Sequence, residues 1–411
     1  MDLTSGNLYW PQQTTPQSYP TLEDSLGCDV AILGGGITGA LAAHYLSEAG
    51  IEAVVVEKRN IAKGSTSAST ALLQYEIDTH LTDLKEKVGE ANAIRAYQLC
   101  LDAIEKMEDL THTIGSSCGF ERKKSVYLAS KKKDVKTMYE EFEARKEMGI
   151  DLEFLDGARL KEEFKLEYPA ALLSQVAAQV DPFALAHCLL SRASKKGVRV
   201  FENTEIDSYE NDDLKKKKFL EGLSTSEPIE LTTANGLTVT AKRVIFATGY
   251  ESQNYLSQKV VDLNSSYALV SQPLPETRLE PYLVWETARP YLYMRTTSDG
   301  RILVGGEDVP FRNPKARDAL LKRKINKLQK RFLELYPEIP LEAAYTWTGT
   351  FGETKDGLPF IGKTPEYPNA YFALGYGGNG ITYSLIAAEL IRDALLGREN
   401  PDAAIFGFGR Y

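Results

Sequence analysis

Three glycines and one acid are the residues of this chain whose types and spacing could do chemistry. Gly34, Gly36 and Gly39 form a GxGxxG within "GGGITG". An apolar run, "DVAIL" from Asp29 to Leu33, precedes them. A helix-forming stretch follows and ends at Gly50, and a second apolar run, "EAVVVE", closes on Glu57. Strand, glycine turn, helix and strand in close succession is the arrangement that binds a dinucleotide. Gly34 permits the tight turn, Gly36 lets backbone approach a pyrophosphate, and Gly39 lets the helix lie close on the sheet. The first helical turn, with Ile37 and Thr38, presents free N–H groups and a partial positive charge to phosphate. Glu57, followed by Lys58, stands where an acid bonds ribose hydroxyls, and its charge disfavours a 2′-phosphate. His44, inside the helix, reads as a packing residue.

The fingerprint does not say which dinucleotide. Three later stretches bear on that. "KGSTSASTALLQYE" (Lys63 to Glu76) follows the second strand, and its Ser65, Thr66, Ser67, Ser69 and Thr70 offer small hydroxyl donors. "RVIFATGY" is a late strand ending in Ala247-Thr248-Gly249, after a hairpin turn at Asn235-Gly236. "ALGYGGNGITYSLIAAELI" (Ala373 to Ile391) is a further strand, glycine turn and helix.

Taken together, these motifs resemble the D-amino-acid-oxidase-type superfamily of FAD-dependent oxidoreductases. The pattern is most similar to its gamma-glutamylputrescine oxidase and glycine–sarcosine oxidase-like members. "VDPFALAHCLLSRASKKGVRVFENTEI" (Val180 to Ile206) and "DGLPFIG" (Asp356 to Gly362) extend the resemblance, which runs from about residue 27 to about residue 396. It implies FAD as cofactor, with Gly34, Gly36, Thr38 and Gly39 at its pyrophosphate and Glu57 at its ribose. It places Ser65 to Leu72 along the pyrophosphate and ring, and Ile206 and Ala247-Thr248-Gly249 at the adenosine half. Gly377, Gly378, Asn379, Gly380, Ile381 and Thr382 would lie beneath the flavin pyrimidine. There a helix N-terminus would stabilise the negative charge that reduction puts on the ring. The position of the sarcosine-type flavin-linking cysteine falls near Gly349, so the resemblance implies noncovalent FAD.

The elements that must position these residues are dispersed along the chain. The expected fold is α/β: a Rossmann-like FAD-binding βαβ domain of the glutathione-reductase type, interleaved with an antiparallel-sheet substrate domain. Residues 1–26 read as an N-terminal arm. Segments 27–82, 170–260 and 345–411 are assigned to the FAD-binding domain, and 83–169 and 261–344 to the substrate or cap domain. Periodic apolar positions predict helices over 85–112, 133–148 and 314–336, the last basic and amphipathic. "SSYALVSQPL", "YLYMRTT" and "GRILVGGE" predict strands within 262–310, with a turn at Asp299-Gly300.

The substrate pocket departs from its relatives. Gln74 falls where sarcosine oxidases carry an arginine and where the glycerol-3-phosphate branch carries a histidine. Thr382 replaces a lysine, and Phe351 and Gly378 fall at arginine positions of glycine oxidase. A carboxylate clamp is then expected only from Arg295. The other substrate candidates are Gln74, Tyr75, Tyr291, Tyr293, Trp347, Phe351 and Asn379, an aromatic set suited to an amine. The expected reaction is hydride transfer from the C–H next to nitrogen of an amine, secondary amine or amino-acid-like substrate to flavin N5, giving an imine that hydrolyses. Two alternatives stay open: a 2-hydroxy-acid or polyol dehydrogenase on the same flavin, and a flavin-binding subunit without turnover. Oxygen, a quinone or a carrier protein would each serve as electron acceptor.

Composition narrows the classes. The 411-residue chain carries a net charge of −9, which argues against a nucleic-acid surface. Its basic runs, Lys131–Lys133, Lys215–Lys218 and Lys322–Lys324, read as solvated faces. No apolar run reaches membrane-spanning length. Cys28, Cys100, Cys118 and Cys188 show no metal spacing, so free thiols and a cytoplasmic location are expected, with no metal. Replacing Gly36 by valine should yield protein that purifies without FAD, because a β-branched side chain would occupy the pyrophosphate's space. The flavin-to-protein absorbance ratio of purified Gly36→Val checks this, and stoichiometric flavin refutes it.

Overall fold

The computed structural model describes residues 2–207, 228–274 and 282–410. The basic run Lys215–Lys218 lies outside them. In chain order the strands are β1 (Thr4–Asn7), β2 (Leu26–Leu33), β3 (Ala53–Val56), β4 (Leu72–Gln74), β5 (Glu121–Leu128), β6 (Leu152–Asp156), β7 (Ala170–Gln179), β8 (Arg199–Phe201), β9 (Ile229–Thr232), β10 (Thr238–Phe246), β11 (Asp262–Ser271), β12 (Tyr282–Glu286), β13 (Leu292–Thr296), β14 (Ile302–Pro310), β15 (Ala343–Glu353), β16 (Phe360–Thr364) and β17 (Tyr367–Leu374).

These form two sheets and an α/β fold. The smaller follows the order β16-β17-β10-β2-β3-β8, with β9 beside β10. Its members β17, β10, β2, β3 and β8 run parallel, while β16 and β9 pair antiparallel. All of Ala53–Val56 is buried, because both faces of a parallel sheet are covered and its strands read as unbroken apolar runs. Val30, Ile32 and Val55 pack with the helices Ile37–Glu48, Pro182–Lys195 and Gly380–Leu395. Ala31, Leu33, Val54 and Val56 pack on the opposite side with Leu22, Leu231 and Phe372. Two glycines of the first motif, Gly34 and Gly39, serve this packing. The backbone at Gly34 takes φ 110, and an ideal Cβ on Gly39 would stand 1.8 Å from the Gly34 carbonyl oxygen.

The larger sheet follows β1-β15-β11-β14-β13-β12-β5-β7-β4, with β6 beside β7. It is antiparallel apart from the β12–β5 pair. Leu328 and Phe332 of the helix Leu321–Leu335 cover its far face. Sheet membership cuts across the expected segments. β7 and β15, and the short β4, lie in segments assigned to the FAD-binding domain, yet they pair in this sheet. Their partners are distant in sequence, so local pattern could not assign them. Residues 1–26, the N-terminal arm, are tied to the rest of the fold. β1 adds an edge strand to β15, Trp10 Nε1 donates to the Ser69 carbonyl at 2.6 Å, and Tyr9 Oη donates to Asp299 at 2.9 Å.

The expected helices are present with breaks at turns. The first is divided into Leu81–Val88 and Glu90–Ile114 by Gly89 at φ 83, the second is Val135–Glu147, and the third is divided into Pro314–Ala319 and Leu321–Leu335. No helix among the described residues is long and apolar enough to cross a membrane. Gly39→Ala should cost about 3 kcal/mol by forcing the first helix off its sheet. Thermal unfolding checks this against Gly27→Ala, where an ideal Cβ meets nothing closer than 3.8 Å and Tm should hold.

Candidate functional site

A cavity of about 370 Å³ lies between the two sheets. At one end its wall is the C-terminal edge of the parallel strands. Gly34, Gly36, Ile37 and Thr38 line it, with Glu57, Lys58, Ile206, Ala247, Thr248 and Gly249 beside them. Gly39 does not reach the wall, since its role is contact with Gly34. Glu57 accepts the Gly35 and Arg59 N–H groups, each at 2.8 Å. Burial pushes its carboxyl above the ordinary value, and those two N–H groups oppose the shift. Lys58 Nζ meets Glu251 at 2.7 Å.

The hydroxyl-rich stretch forms the short helix Ser65–Ala68 against this end. Thr66 Oγ1 accepts the Ile37 N–H at 2.9 Å, and an ideal Cβ on Gly36 would come within 3.0 Å of the same oxygen. Ser65 is on the wall, and its Oγ is buried without a partner among the described residues. Ser69, Thr70 and Leu72 continue the wall. Ser67 does not, because its Oγ turns back to the Gly64 carbonyl at 2.9 Å.

Close to the first helix start, the N-terminus of the helix Gly380–Leu395 also opens onto the cavity, with no side-chain cap among the described residues. Gly377, Gly378, Asn379, Gly380 and Ile381 line the cavity, while Thr382 is buried inside the helix packing. Asn379 is a tie and not a free contact. Its Nδ2 donates to the Gln74 and Glu76 carbonyls, both at 2.9 Å. The Gly378 N–H donates to Asp78 at 2.9 Å, and Thr38 Oγ1 meets Ser384 Oγ at 2.7 Å.

The roof is one face of the larger sheet. Trp285 pairs with Tyr293, Tyr293 with Gly305, Gly305 with Ala268 and Ala268 with Trp347. Directly opposed residues share a face, and alternate residues along each strand repeat it. Ser266, Tyr291, Gly349 and Phe351 therefore join the same surface. Tyr293 Oη meets Ser266 Oγ at 3.2 Å, Trp347 Nε1 donates to the Ala68 carbonyl at 2.9 Å, and Gln74 Nε2 donates to Ser125 at 3.3 Å.

Two substrate candidates lie elsewhere. Strand alternation turns Leu72, Gln74 and Glu76 to the cavity, and Leu73, Tyr75 and Ile77 to the core. Tyr75 therefore packs against Tyr97 and Arg145. Arg295 is fully enclosed behind the Ser69–Leu72 wall. Its guanidinium donates to the Thr70 and Thr296 carbonyls and to Gln179 at 2.9, 3.2 and 2.9 Å, and lies over the Trp10 ring at 5.4 Å. Burial lowers its pKa to about 10. It holds a loop and is not among the residues that line the cavity. Sequence reading missed Trp285, Ser266 and Asp78 on the wall. Trp285 was discoverable as the cross-strand partner of Tyr293, whereas Asp78 and Ser266 carry no local signal. Arg295→Met should lower stability by about 2 kcal/mol through the unpaired Gln179 and Thr70 groups. Thermal unfolding measures the loss, and the KM of whichever substrate turns over should not change.

FAD fits this enclosure. Two helix N-termini without side-chain caps open onto one space, and the glycine cradle there admits no Cβ at Gly34. The buried Ser65 and Tyr376 hydroxyls on its wall have no partner among the described residues. These groups suit a diphosphate joined to two polar ring systems.

Comparison with known proteins agrees. A family model described as FAD dependent oxidoreductase matches residues 29–394. Gamma-glutamylputrescine oxidoreductase of Escherichia coli (strain K12) is 27% identical over 409 residues, spanning 96% of this chain and 88% of that protein. Glycine oxidase of Geobacillus kaustophilus (strain HTA426) is 26% identical over 396 residues, spanning 93% and 97%. The crystal structure of glycine oxidase from Geobacillus kaustophilus shares the fold, with a TM-score of 0.76 at 23% identity over 94% of this chain and 99% of that one. With the glycine corners, the two-sheet architecture and the family match in agreement, this chain belongs to the DAO family of FAD-dependent oxidoreductases and is an FAD-dependent enzyme.

Proposed function

We propose that this enzyme oxidises the C–N bond of an amine, secondary amine or amino-acid-like substrate, removing a hydride from the C–H next to nitrogen and leaving an imine that water hydrolyses. One observation carries the reading. Beside the Gly377–Ile381 corner the wall is made of Gln74, Trp285, Tyr291, Tyr293, Trp347 and Phe351. Among the described lining residues there is no histidine, and the only cations, Lys58 and Arg59, stand at the Glu57 end beside Glu251. An alcohol needs a base in contact with its hydroxyl during hydride departure, most often a histidine. A free amine brings its own lone pair. A small amino acid held by its carboxylate would need a cation at this corner, so an amine with an apolar or neutral body fits better. The relative from Escherichia coli is named for an amine, gamma-glutamylputrescine.

Bound FAD supplies the hydride acceptor. The chain's own residues do the rest. The N–H end of the helix Ile37–Glu48 receives the pyrophosphate, and the remaining lone pairs of Glu57 accept ribose hydroxyls. The uncapped N–H groups at Gly380 offer positive potential where reduction places negative charge. The aromatic roof excludes water and cradles the substrate's carbon chain. No cysteine stands among the described lining residues, which supports a noncovalent cofactor.

An anaerobic absorbance titration of the purified yellow protein tests the reading. Amines should bleach the flavin, and 2-hydroxy acids and polyols should leave it oxidised. Bleaching by a hydroxy acid and by no amine would sink the proposal.

A further inference from the structure

The larger sheet carries an irregularity beside the cavity. β11 and β14 pair from Val270↔Leu303 to Tyr267↔Gly306, and again at Ser265↔Val309. Glu307 and Asp308 therefore stand opposite Ser266 alone, which is a β-bulge. Glu307 has φ 58, a left-handed conformation that side chains other than glycine seldom adopt. Its carboxylate is held on the covered face of the sheet by Lys324, Lys327 and Arg331, at 3.2, 2.8 and 3.0 Å. Asp308 is thereby turned the other way, toward Ser266 and Tyr291, whose hydroxyls favour its charged form. Both residues line the cavity, and Ser266 continues to Tyr293 at 3.2 Å. Gly305 makes room for this arrangement, since an ideal Cβ there would lie 2.3 Å from the Tyr293 ring. The Oδ1 atom of Asp308 is buried and has no hydrogen-bond partner among the described residues.

An amine reaches neutral solution mostly as ammonium, with a pKa near that of lysine, about 10.4. An ammonium nitrogen has no lone pair to assist departure of a hydride. We propose that Asp308 takes the proton of the incoming ammonium group, working through the Ser266, Tyr291 and Tyr293 hydroxyls on the cavity roof. This rests on the amine reading above. One N–H bond of the ammonium breaks and its electron pair stays on nitrogen. A roof hydroxyl gains that proton as it passes its own to the Asp308 carboxylate, which becomes a carboxylic acid. Nothing is oxidised or reduced in the step.

The surroundings suit a proton acceptor working near neutrality. Burial pushes the Asp308 carboxyl up to about 7, and the charges of Asp78 and Glu353 push the same way, against Ser266 and Tyr291. Arg289 faces the cluster as well, with its guanidinium 4.6 Å from the Tyr291 ring centre. Asp308 is a carboxylate above that pH and an acid below it, so proton acceptance is lost as pH falls.

The test uses the FAD-loaded enzyme and the amine that bleaches it fastest. Asp308→Asn should slow anaerobic flavin reduction by about 10²- to 10⁴-fold at neutral pH. Its rate should then rise only as solvent delivers the free amine, moving the ascending limb from near 7 toward the amine's own pKa. Asp308→Glu should restore part of the rate. Without substrate, the infrared spectrum of the wild type should gain a protonated-carboxyl band as pH falls through about 7, shifted in Asp308→Glu and absent from Asp308→Asn. A wild-type pH profile in Asp308→Asn overturns the proposal and leaves the amine reading intact. If Asp308→Asn does not fold, the infrared titration of the wild type and Asp308→Glu decides, and a carboxyl that does not titrate near neutrality overturns it. An enzyme that no amine reduces refutes the amine reading and this inference together.

Discussion

Two helix N-termini held side by side are the constraint on which the site depends. The helices Ile37–Glu48 and Gly380–Leu395 bring like partial charges to one end of the cavity, which is unfavourable until an anion lies between them. The fold opposes that repulsion with short, specific contacts. Thr38 and Ser384 share a hydroxyl hydrogen bond at 2.7 Å, and Asn379 ties the second helix to the carbonyls of Gln74 and Glu76. A diphosphate would replace the repulsion with attraction, so cofactor binding and folding are coupled in the same direction.

The larger sheet answers a different demand. A ring system carrying redox chemistry needs one face gripped and the other open to a second molecule. The gripping face comes from glycines and backbone N–H groups, which tolerate close approach. The open face comes from strand residues at alternate positions, Trp347, Gly349 and Phe351 on one strand and Tyr291 and Tyr293 on another. Glycines at 305 and 349 lie among the aromatics and set the depth of the recess.

That division also explains what the sequence makes legible. The glycine corners can be read because their requirement is local: a tight turn, an uncapped helix start and a short run of strand. Tyr291, Tyr293, Trp347 and Phe351 can be read because a period of two carries them to one face. Sheet membership cannot be read at β7 or β15, whose partners lie far along the chain. Asp308 is hidden for a stricter reason. Its direction is set by a bulge at Glu307, which is itself set by cations on the helix Leu321–Leu335. A regular register would have sent the two acids to opposite faces from those they occupy.

Arg295 shows the converse. Its type and its place two residues after Tyr293 suit a carboxylate clamp, yet the side chain is spent on Thr70, Thr296 and Gln179. Arg145 is used in the same way, donating to Glu141, which in turn accepts the Leu81 and Thr82 N–H groups. That network anchors the chain directly after the Gln74–Asp78 wall. Buried ion pairs of this kind contribute little net stability, because desolvation offsets the attraction. Breaking one leaves a charge without a partner, so they hold geometry firmly even where they add little free energy. The charges enclosed in this protein are therefore best understood as fasteners behind the cavity wall. The charged groups left facing the space beside the Gly377–Ile381 corner are acids, Glu76 and Asp78.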